Sequence, residues 1–272
     1  MPELIELLKY MLLGLVQGLT EPLPVSSSAH VAILNRLMSG DAFTDLNLEI
    51  MVNFGSLVAV IIVFRKDIKQ LFIGFFKFIQ TKQVKYKTDF KYSLYLMLAT
   101  IPAGIVGLLL KDFLEGAISE NFRLIGVSLL ITAVFLWLIH KRVGIKSDNN
   151  VTAKDALIIG LFQVIALIPG ISRSGATITG AMFRNLKREE ALRFAFLLFI
   201  PISVATTILG VSDLATDPDL ATKIIPYTVA TIVAGIVTYF TIQWFIGIVL
   251  KGKLIYFACY AAVLGTLVIL FM

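Results

Sequence analysis

The chain has 272 residues, 58% of them hydrophobic and 15% charged, and a mean hydropathy of +0.89. Soluble domains are roughly half apolar and a quarter charged, so this composition excludes a large soluble core and predicts a polytopic membrane protein. The net charge of +6 is explained by basic cytoplasmic loops, and we expect no nucleic-acid partner.

Taken in chain order, the apolar segments are of two kinds, interrupted and uninterrupted. The first segment, 4–38, is broken by the stretch "QGLTEPLPVSSSAH" from Gln17 to His30, and a later one, 153–184, is broken by "IPGISRSGAT". A membrane span needs about 20 apolar residues. Six uninterrupted spans are predicted near 48–64, 92–111, 122–140, 190–210, 225–249 and 254–272. Between the first two spans, the basic segment 65–91 with its apolar "LFIGFFKFI" predicts an amphipathic helix on the cytoplasmic membrane surface.

Each half of an interrupted segment is too short to cross a bilayer alone. Both breaks contain proline and hydroxyl residues, and unpaired backbone at membrane depth is tolerated only where protein buries it or water reaches it. The pattern therefore predicts two re-entrant helical hairpins. A kinked full span at each break is the alternative.

Basic residues set the predicted orientation of these segments. They concentrate in 65–91, in the linker 141–154 and in the turns after 184 and 250, which places all four on the cytoplasmic side. Three spans separate the two hairpins, so the first enters from the outer face and the second from the inner face. The fold class is thus an all-α membrane domain of six spans and two hairpins, with inverted repeats at 1–145 and 152–272.

Weak internal similarity supports two equivalent halves. The tetrapeptide "GLVQ" at 14–17 recurs as "GLFQ" at 160–163, an offset of 146 residues. The same offset aligns Ser26 with Ser172 and Ser28 with Ser174. Inverted repeats with broken helices form their site near the midplane of the bilayer, where the breaks converge.

Both breaks restart a helix with groups suited to an anion. A helix N-terminus offers unpaired N–H groups and the positive end of the helix dipole, which favour phosphate. The candidate substrate-binding residues are Ser26, Ser27 and Ser28 in the first break, and Gly170, Ser172, Arg173, Ser174 and Thr177 in the second. Arg173 is an ionisable group in an apolar setting and carries a planar fork that matches phosphate oxygens. The alternative is that Arg173 pairs with Glu21 only to hold the breaks together.

The remaining polar residues of the first break predict acid–base and metal chemistry. Gln17 and Glu21 lie four residues apart and share a helix face. Their oxygens could hold a divalent cation that also takes phosphate oxygens. Ser27 and His30 lie three apart, so a hydroxyl and an imidazole share a face. His30 could also be a packing histidine, or be oriented by Glu21.

Together, two anion-binding tips, a guanidinium, a hydroxyl, an imidazole and a carboxylate favour phosphoryl chemistry on a lipid with a phosphorylated head. A transporter or flippase for a lipid phosphate is the alternative, because inverted repeats with broken helices are transporter architecture. A phosphatidic-acid-type phosphatase is excluded, since it needs a second histidine after Arg173 and the chain has only His30 and His140.

At "QGLTEPLPVSSSAH" and "PGISRSGAT" the sequence resembles the undecaprenyl-diphosphate phosphatase family, also called bacitracin resistance proteins. The resemblance implies hydrolysis of a long polyprenyl diphosphate to the monophosphate and phosphate, which recycles the carrier lipid for bacterial cell-wall synthesis. It implies a site open to the outer face of the plasma membrane and stimulation by a divalent cation, Mg²⁺ or Ca²⁺. The implied catalytic set is Glu21, Ser27, His30 and Arg173, with Gln17, Ser26, Ser172, Ser174 and Thr177 around it.

Some positions depart from the family pattern, and the mechanism keeps alternatives. Gln17 replaces a glutamate that is common in the family, so the metal site expected at Glu21 has one carboxylate fewer. In the predicted mechanism a cation bridges the diphosphate to Glu21, Ser27 or a water attacks phosphorus, and His30 moves the proton. His30 as nucleophile remains an alternative. The protein partner compatible with this reading is a second copy of the chain, in a homodimer.

Overall fold

In a computed structural model, the structure describes residues 2–38, 46–110, 121–216 and 220–272. Within these ranges the chain is helical apart from turns and one isolated bridge between Lys146 and Leu186. The α-helices are α1 Pro2–Thr20, α2 Ser27–Met38, α3 Leu46–Val63, α4 Arg65–Thr81, α5 Lys87–Leu109, α6 Phe122–Ile139, α7 Ala153–Ile165, α8 Arg173–Phe183, α9 Arg188–Thr216, α10 Leu220–Leu250 and α11 Ile255–Phe271. The prediction of an all-α protein is confirmed.

Every predicted span coincides with a helix, but the helices differ in their capacity to cross a membrane. Within the described ranges, four stretches are long and apolar enough by themselves: Val84–Leu109, Phe122–Ile139, Arg188–Val211 and Leu220–Leu250. A fifth is obtained if α3 and α4 count as one bent span, and α11 is apolar but has only 17 residues. The structure therefore confirms a polytopic membrane protein, while the count of six spans and two re-entrant hairpins stays a prediction.

Helix α4 forms the start of the predicted amphipathic segment and bends 73° away from α3. Large apolar side chains at Phe72, Phe76 and Ile79 are exposed, next to exposed Lys69 and Lys77. Its inner face packs through Phe75 and Phe78 on Phe90 of α5, with ring centroids 5.1 and 4.7 Å apart. The segment is thus a separate helix held against α5, followed by a short 3-10 turn, Val84–Tyr86, before α5 begins.

Both breaks fold the chain back on itself. Helix α1 packs against α2 across the first break, and α7 packs against α8 across the second. Two halves of a kinked span would continue in one direction and share few contacts, so this packing favours hairpins.

The two halves pack in a matching way. Helix α1 lies against α10 and α7 lies against α5, and each pair meets at a glycine. A Cβ atom on Gly14 would lie 2.3 Å from the carbonyl oxygen of Ala230, and one on Gly160 would lie 2.5 Å from that of Ala99. Gly14 and Gly160 are 146 residues apart, the offset of the sequence similarity. The similarity thus corresponds to equivalent close helix contacts, which small residues permit in membrane proteins.

Asp155 closes the base of the second hairpin. Its fully buried carboxylate accepts hydrogen bonds from Lys146 Nζ at 3.0 Å and Arg184 Nε at 2.7 Å, and from the backbone and hydroxyl of Thr152. The Thr152 and Asp155 side chains also form a capping box at the start of α7. Burial alone would raise the pKa of Asp155, but the hydrogen bonds from Lys146, Thr152 and Arg184 outweigh it and lower that pKa.

Candidate functional site

The first break ends in a strained turn that starts α2. Ser26 is buried and has a φ of 69°, a left-handed conformation that non-glycine residues adopt at some cost. Its hydroxyl accepts a hydrogen bond from Ala29 N at 3.3 Å and lies 3.1 Å from the hydroxyl of Ser28. Ser26 thus caps α2, which leaves Ser27 as the first helical residue.

The second break ends in the same arrangement. Ser172 caps α8 by accepting from Gly175 N at 3.1 Å, and its hydroxyl lies 3.1 Å from that of Ser174. The turn before it needs Gly170, whose φ is 91°. Thr132 of α6 braces the turn by accepting a hydrogen bond from Ser172 N at 3.1 Å.

The two breaks contact each other directly. The backbone N–H of Gly170 donates to the hydroxyl of Ser28 at 3.4 Å. The hydroxyl of Ser174 donates to the carbonyl oxygen of Leu23 at 3.0 Å. The beginnings of α2 and α8 are therefore held side by side.

Glu21 lies in the first break with its carboxylate already engaged by two neighbours. Its Oε2 atom accepts a hydrogen bond from Gln17 Nε2 at 3.0 Å and another from the hydroxyl of Ser27. Gln17 itself is 4% exposed. The predicted shared face of Gln17 and Glu21 is thus present, and it is Glu21 that contacts the Ser27 hydroxyl.

His30 has other partners than those considered from the sequence. Its Nδ1 atom lies 2.7 Å from the carbonyl oxygen of Ser26, and its Nε2 atom lies 2.7 Å from the hydroxyl of Tyr260 on α11. The rings of His30 and Tyr260 stack with centroids 5.6 Å apart. The structure therefore does not bring His30 into hydrogen-bond contact with Ser27 or Glu21.

Arg173 begins α8, and its guanidinium contacts an aromatic ring and a hydroxyl group. The guanidinium carbon lies 5.3 Å from the centre of the Phe199 ring, and Nη1 donates to Ser203 Oγ at 3.4 Å. None of the ion pairs among the described residues includes Arg173. The alternative of a Glu21–Arg173 ion pair that only fastens the breaks is therefore not seen. Thr177, one turn further on, is buried and its hydroxyl bonds back to the Arg173 carbonyl at 2.9 Å.

A polar cavity of about 490 Å³ connects part of the first break with Arg173 of the second. Its lining consists of Gln17, Glu21, Ser26, Ser27, Ser28, Glu49, Asn53, Ala166, Ile171 and Arg173. Ser172, Ser174, Thr177, Gly170 and His30 do not line it. A second, mostly apolar cavity of about 340 Å³ adjoins it, and Glu21 and Arg173 line both.

The oxygen atoms of this cavity suit a hard cation. Glu21 and Glu49 supply carboxylates, and Oδ1 of Asn53 is buried without a hydrogen-bond partner among the described residues. Mg²⁺ and Ca²⁺ prefer such oxygen ligands, and Mg²⁺ is commonly held by one or two carboxylates plus substrate phosphates. No group of three or more histidine, cysteine or acidic residues that could hold a metal occurs in the described residues. The set fits a cation that binds together with a phosphorylated substrate.

Several residues of the site carry no signal in the sequence. Tyr260, Ser203, Phe199 and Thr132 lie in apolar helices at ordinary spacings, and their contacts depend on how distant helices pack. Glu49 and Asn53 do carry a signal, because polar residues within an apolar span are functional candidates and the resembled family tends to have polar residues at both positions.

The fold and this cavity define a polytopic membrane protein whose polar site is built between two broken helices. Residues 10–267 match the family model described as bacitracin resistance protein BacA. The chain is 46% identical to undecaprenyl-diphosphatase 1 of Bacillus cereus over 97% of both chains, and 46% identical to undecaprenyl-diphosphatase 2 of Bacillus thuringiensis over 98% of both. It is 47% identical to undecaprenyl-diphosphatase 1 of Halalkalibacterium halodurans over 98% of this chain and 97% of the relative. The chain therefore belongs to the bacitracin resistance protein BacA family, which confirms the family resemblance seen in its two motifs.

Proposed function

We propose that this protein hydrolyses undecaprenyl diphosphate to undecaprenyl monophosphate and inorganic phosphate in the bacterial plasma membrane, recycling the carrier lipid for cell-wall synthesis. Its relatives over nearly the whole chain carry the name undecaprenyl-diphosphatase. The observation in the structure that carries the proposal is the hydroxyl of Ser27 donating to Glu21 in a cavity that Arg173 also lines.

The diphosphate would be held by charge and by helix ends. Arg173 offers N–H donors that match phosphate oxygens, and the adjoining starts of α2 and α8 direct their N–H groups and dipoles toward the same space. The charge of the diphosphate is then met by a guanidinium and two helix ends rather than by water. Such positioning and charge stabilisation dominate phosphoryl transfer.

The reacting bond would be broken by Ser27. Its Oγ atom attacks the terminal phosphorus while Glu21 accepts the hydroxyl proton, and the bridging P–O bond breaks so that the lipid monophosphate leaves with the bridging oxygen. Water then hydrolyses the phosphoserine and releases phosphate. Attack by a water activated by Glu21 requires the same contacts without Ser27. His30 as nucleophile is disfavoured, because both of its ring nitrogens already have partners and it does not line the cavity.

A divalent cation would be held at Glu21, with Glu49 and Asn53 as the further oxygen ligands. When bound, it would neutralise charge on the diphosphate. The proton acceptor for Ser27 remains Glu21, through the oxygen that the hydroxyl contacts.

Access from the outer face is supported by the placement of the two cavities along α3. Glu49 and Asn53, in the first half of α3, line the polar cavity, whereas Val60, near its end, lines the apolar one. The predicted topology places the start of α3 outside. The polar cavity then opens outward and the apolar cavity lies on the inner side of Glu21 and Arg173.

The test is phosphate release from long-chain prenyl diphosphate in detergent, with and without Mg²⁺ or Ca²⁺. Wild-type activity that Arg173→Ala and Ser27→Ala both lose would place the two breaks in one catalytic site. Near-normal turnover by Ser27→Ala would exclude the serine nucleophile and leave the activated water. A folded wild type that binds the lipid but releases no phosphate under any of these conditions would favour the alternative, a lipid-phosphate transporter or flippase.

A further inference from the structure

The side chain of Tyr260 joins helix α11 to the imidazole of His30. The hydroxyl lies 2.7 Å from His30 Nε2, and the two rings are nearly parallel at an angle of 11°. The two residues are 230 positions apart in the chain. This contact is therefore made by tertiary packing and not by local structure.

The contact at the opposite edge of the imidazole fixes which tautomer the neutral ring adopts. The carbonyl oxygen of Ser26 can only accept a hydrogen bond, so the 2.7 Å contact requires that Nδ1 carries the hydrogen. Neutral His30 then has its lone pair on Nε2, and the Tyr260 hydroxyl donates to it. Both ring nitrogens are satisfied in one tautomer and one orientation.

Ser26 connects this imidazole to the proposed reaction site. Its left-handed backbone is strained, and such conformations persist only where the surroundings hold them. The His30 ring and its backbone N–H both bond to the Ser26 carbonyl, at 2.7 and 3.3 Å. The next residue is Ser27, whose hydroxyl contacts Glu21.

Tyr260 also lies where its loss would leave a polar atom without a partner. Tyr260 is 47% exposed, and its hydroxyl contacts Nε2 of His30. A lone pair facing hydrocarbon without a hydrogen bond is costly. Without the phenol, the ring would turn to find another partner and would release the Ser26 carbonyl.

We infer that Tyr260 is a positioning residue: by holding His30 in its Nδ1–H tautomer against the Ser26 carbonyl, it fixes the turn that presents Ser27. The inference rests on the proposed function, because it gives His30 the role of positioning the turn that carries the proposed nucleophile, Ser27. Tyr260 touches neither substrate nor the reacting atoms.

The experiment compares Tyr260→Phe with Tyr256→Phe, which removes the same hydroxyl one turn earlier on α11 from a side chain that is 62% exposed. Phosphate release from long-chain prenyl diphosphate gives kcat and KM for each. A displacement of about 1 Å caused by a mutation away from the reacting atoms can cost about 100-fold in rate, and we expect a decrease of about 10- to 100-fold in kcat for Tyr260→Phe with KM within about twofold. Tyr256→Phe should match the wild type.

A spectroscopic readout separates positioning from a general loss of structure. With ¹⁵N-histidine label and His140→Asn, a single imidazole reports on His30. At a pH where the ring is neutral, the wild type should show a protonated Nδ1 and a hydrogen-bonded Nε2. Tyr260→Phe should shift the Nε2 signal and Tyr256→Phe should not.

Each outcome bears on a different statement. A wild type without phosphatase activity contradicts the proposed function, and an active His30→Ala enzyme with normal kcat contradicts the role of His30. If the wild type is active and His30→Ala is impaired, an unchanged kcat or an unchanged Nε2 signal in Tyr260→Phe overturns the inference about Tyr260 alone. Where His30→Ala retains measurable activity, adding Tyr260→Phe to it should change kcat by less than about twofold; an undiminished effect would likewise overturn the inference.

Discussion

Whether Ser27 and Glu21 act as one unit can be tested by combining Glu21→Gln with Ser27→Ala. Glutamine keeps the shape of Glu21 and can still hydrogen-bond to Gln17 and Ser27, but it cannot accept a proton. Because the Ser27 hydroxyl donates directly to the Glu21 carboxylate, each single change should remove the same proton transfer.

The expected magnitudes distinguish coupled from independent roles. A positioned general base contributes about 10²- to 10⁴-fold, or about 3 to 5 kcal/mol at 1.36 kcal/mol per factor of ten. Loss of the nucleophile should cost at least as much. Residues that act as a unit are strongly non-additive, so the double variant should lie within about tenfold of the worse single variant. Independent effects would instead multiply, to about 10⁴-fold or more.

The assay is single-turnover phosphate release, with the enzyme in saturating excess over substrate and with saturating divalent cation. Saturation with the cation matters because Glu21 is also the proposed metal ligand. Glu6→Gln is the control, since it makes the same chemical change on an exposed side chain of α1. A double variant whose loss equals the product of the two single losses would refute the assignment of Glu21 as the base for Ser27.

Two further predictions concern the stability of the fold and are measured by thermal unfolding in detergent. Gly14→Ala and Gly160→Ala should each lower the free energy of unfolding by about 1 to 3 kcal/mol, because the new Cβ would overlap a backbone carbonyl of the facing helix. The control is Gly104→Ala, whose Cβ would have nothing within 4 Å and which should leave the free energy of unfolding unchanged or raise it slightly. Equal effects at all three would contradict the close helix contacts. Asp155→Asn should lower the free energy of unfolding by about 2 to 3 kcal/mol. This is less than the loss expected for a fully buried ion pair, because the two cationic partners of Asp155 are partly exposed. The control is Lys154→Gln, which changes an exposed residue and should alter the free energy of unfolding little. Since the pKa of Asp155 is lowered on folding, its stabilisation is complete above the unfolded value of about 3.9 and is lost as the pH falls through the lower folded value. The difference in unfolding free energy between the wild type and Asp155→Asn should therefore shrink as the pH is lowered below about 3.9, and a difference that stays undiminished throughout acid titration would contradict this.

The helices could be predicted from the sequence because each depends on a local pattern. Apolar runs, prolines and capping serines marked both breaks, and Gly170 marked the turn that needs a positive φ. The differences lie at helix ends, where composition changes gradually: α9 and α10 both extend beyond the predicted spans of 190–210 and 225–249. The predicted amphipathic segment 65–91 is divided between α4 and the start of α5, since the turn at 82–86 carries no strong breaking residue.

The site was predictable as a list of residues but not as a set of contacts. The sequence spacing predicted that Ser27 and His30 share a helical face. It could not predict that each side chain bonds to a different partner, Ser27 to Glu21 across the break and His30 to Tyr260 on another helix. Glu21 reaches Ser27 because the chain reverses between them, and His30 is drawn to Tyr260 by the packing of α11. Helical periodicity cannot predict either contact, because both depend on how the chain folds beyond a single helix.

The predicted repeat offers an explanation of how one site acquires two different chemical groups. At the offset of 146 residues, Ser27 is equivalent to Arg173, and each is the first residue of its helix. Both line the polar cavity, beside capping serines that make the same contacts in the two breaks. A two-fold relation between the breaks would place the hydroxyl and the guanidinium on opposite sides of a phosphate bound between them. The equivalents of Glu21 and His30 are Leu167 and Ala176, so the second break lacks the carboxylate and the imidazole. Under the predicted repeat, duplication would account for two helix starts at one site, and divergence at equivalent positions would account for the proposed nucleophile on one and the cation on the other.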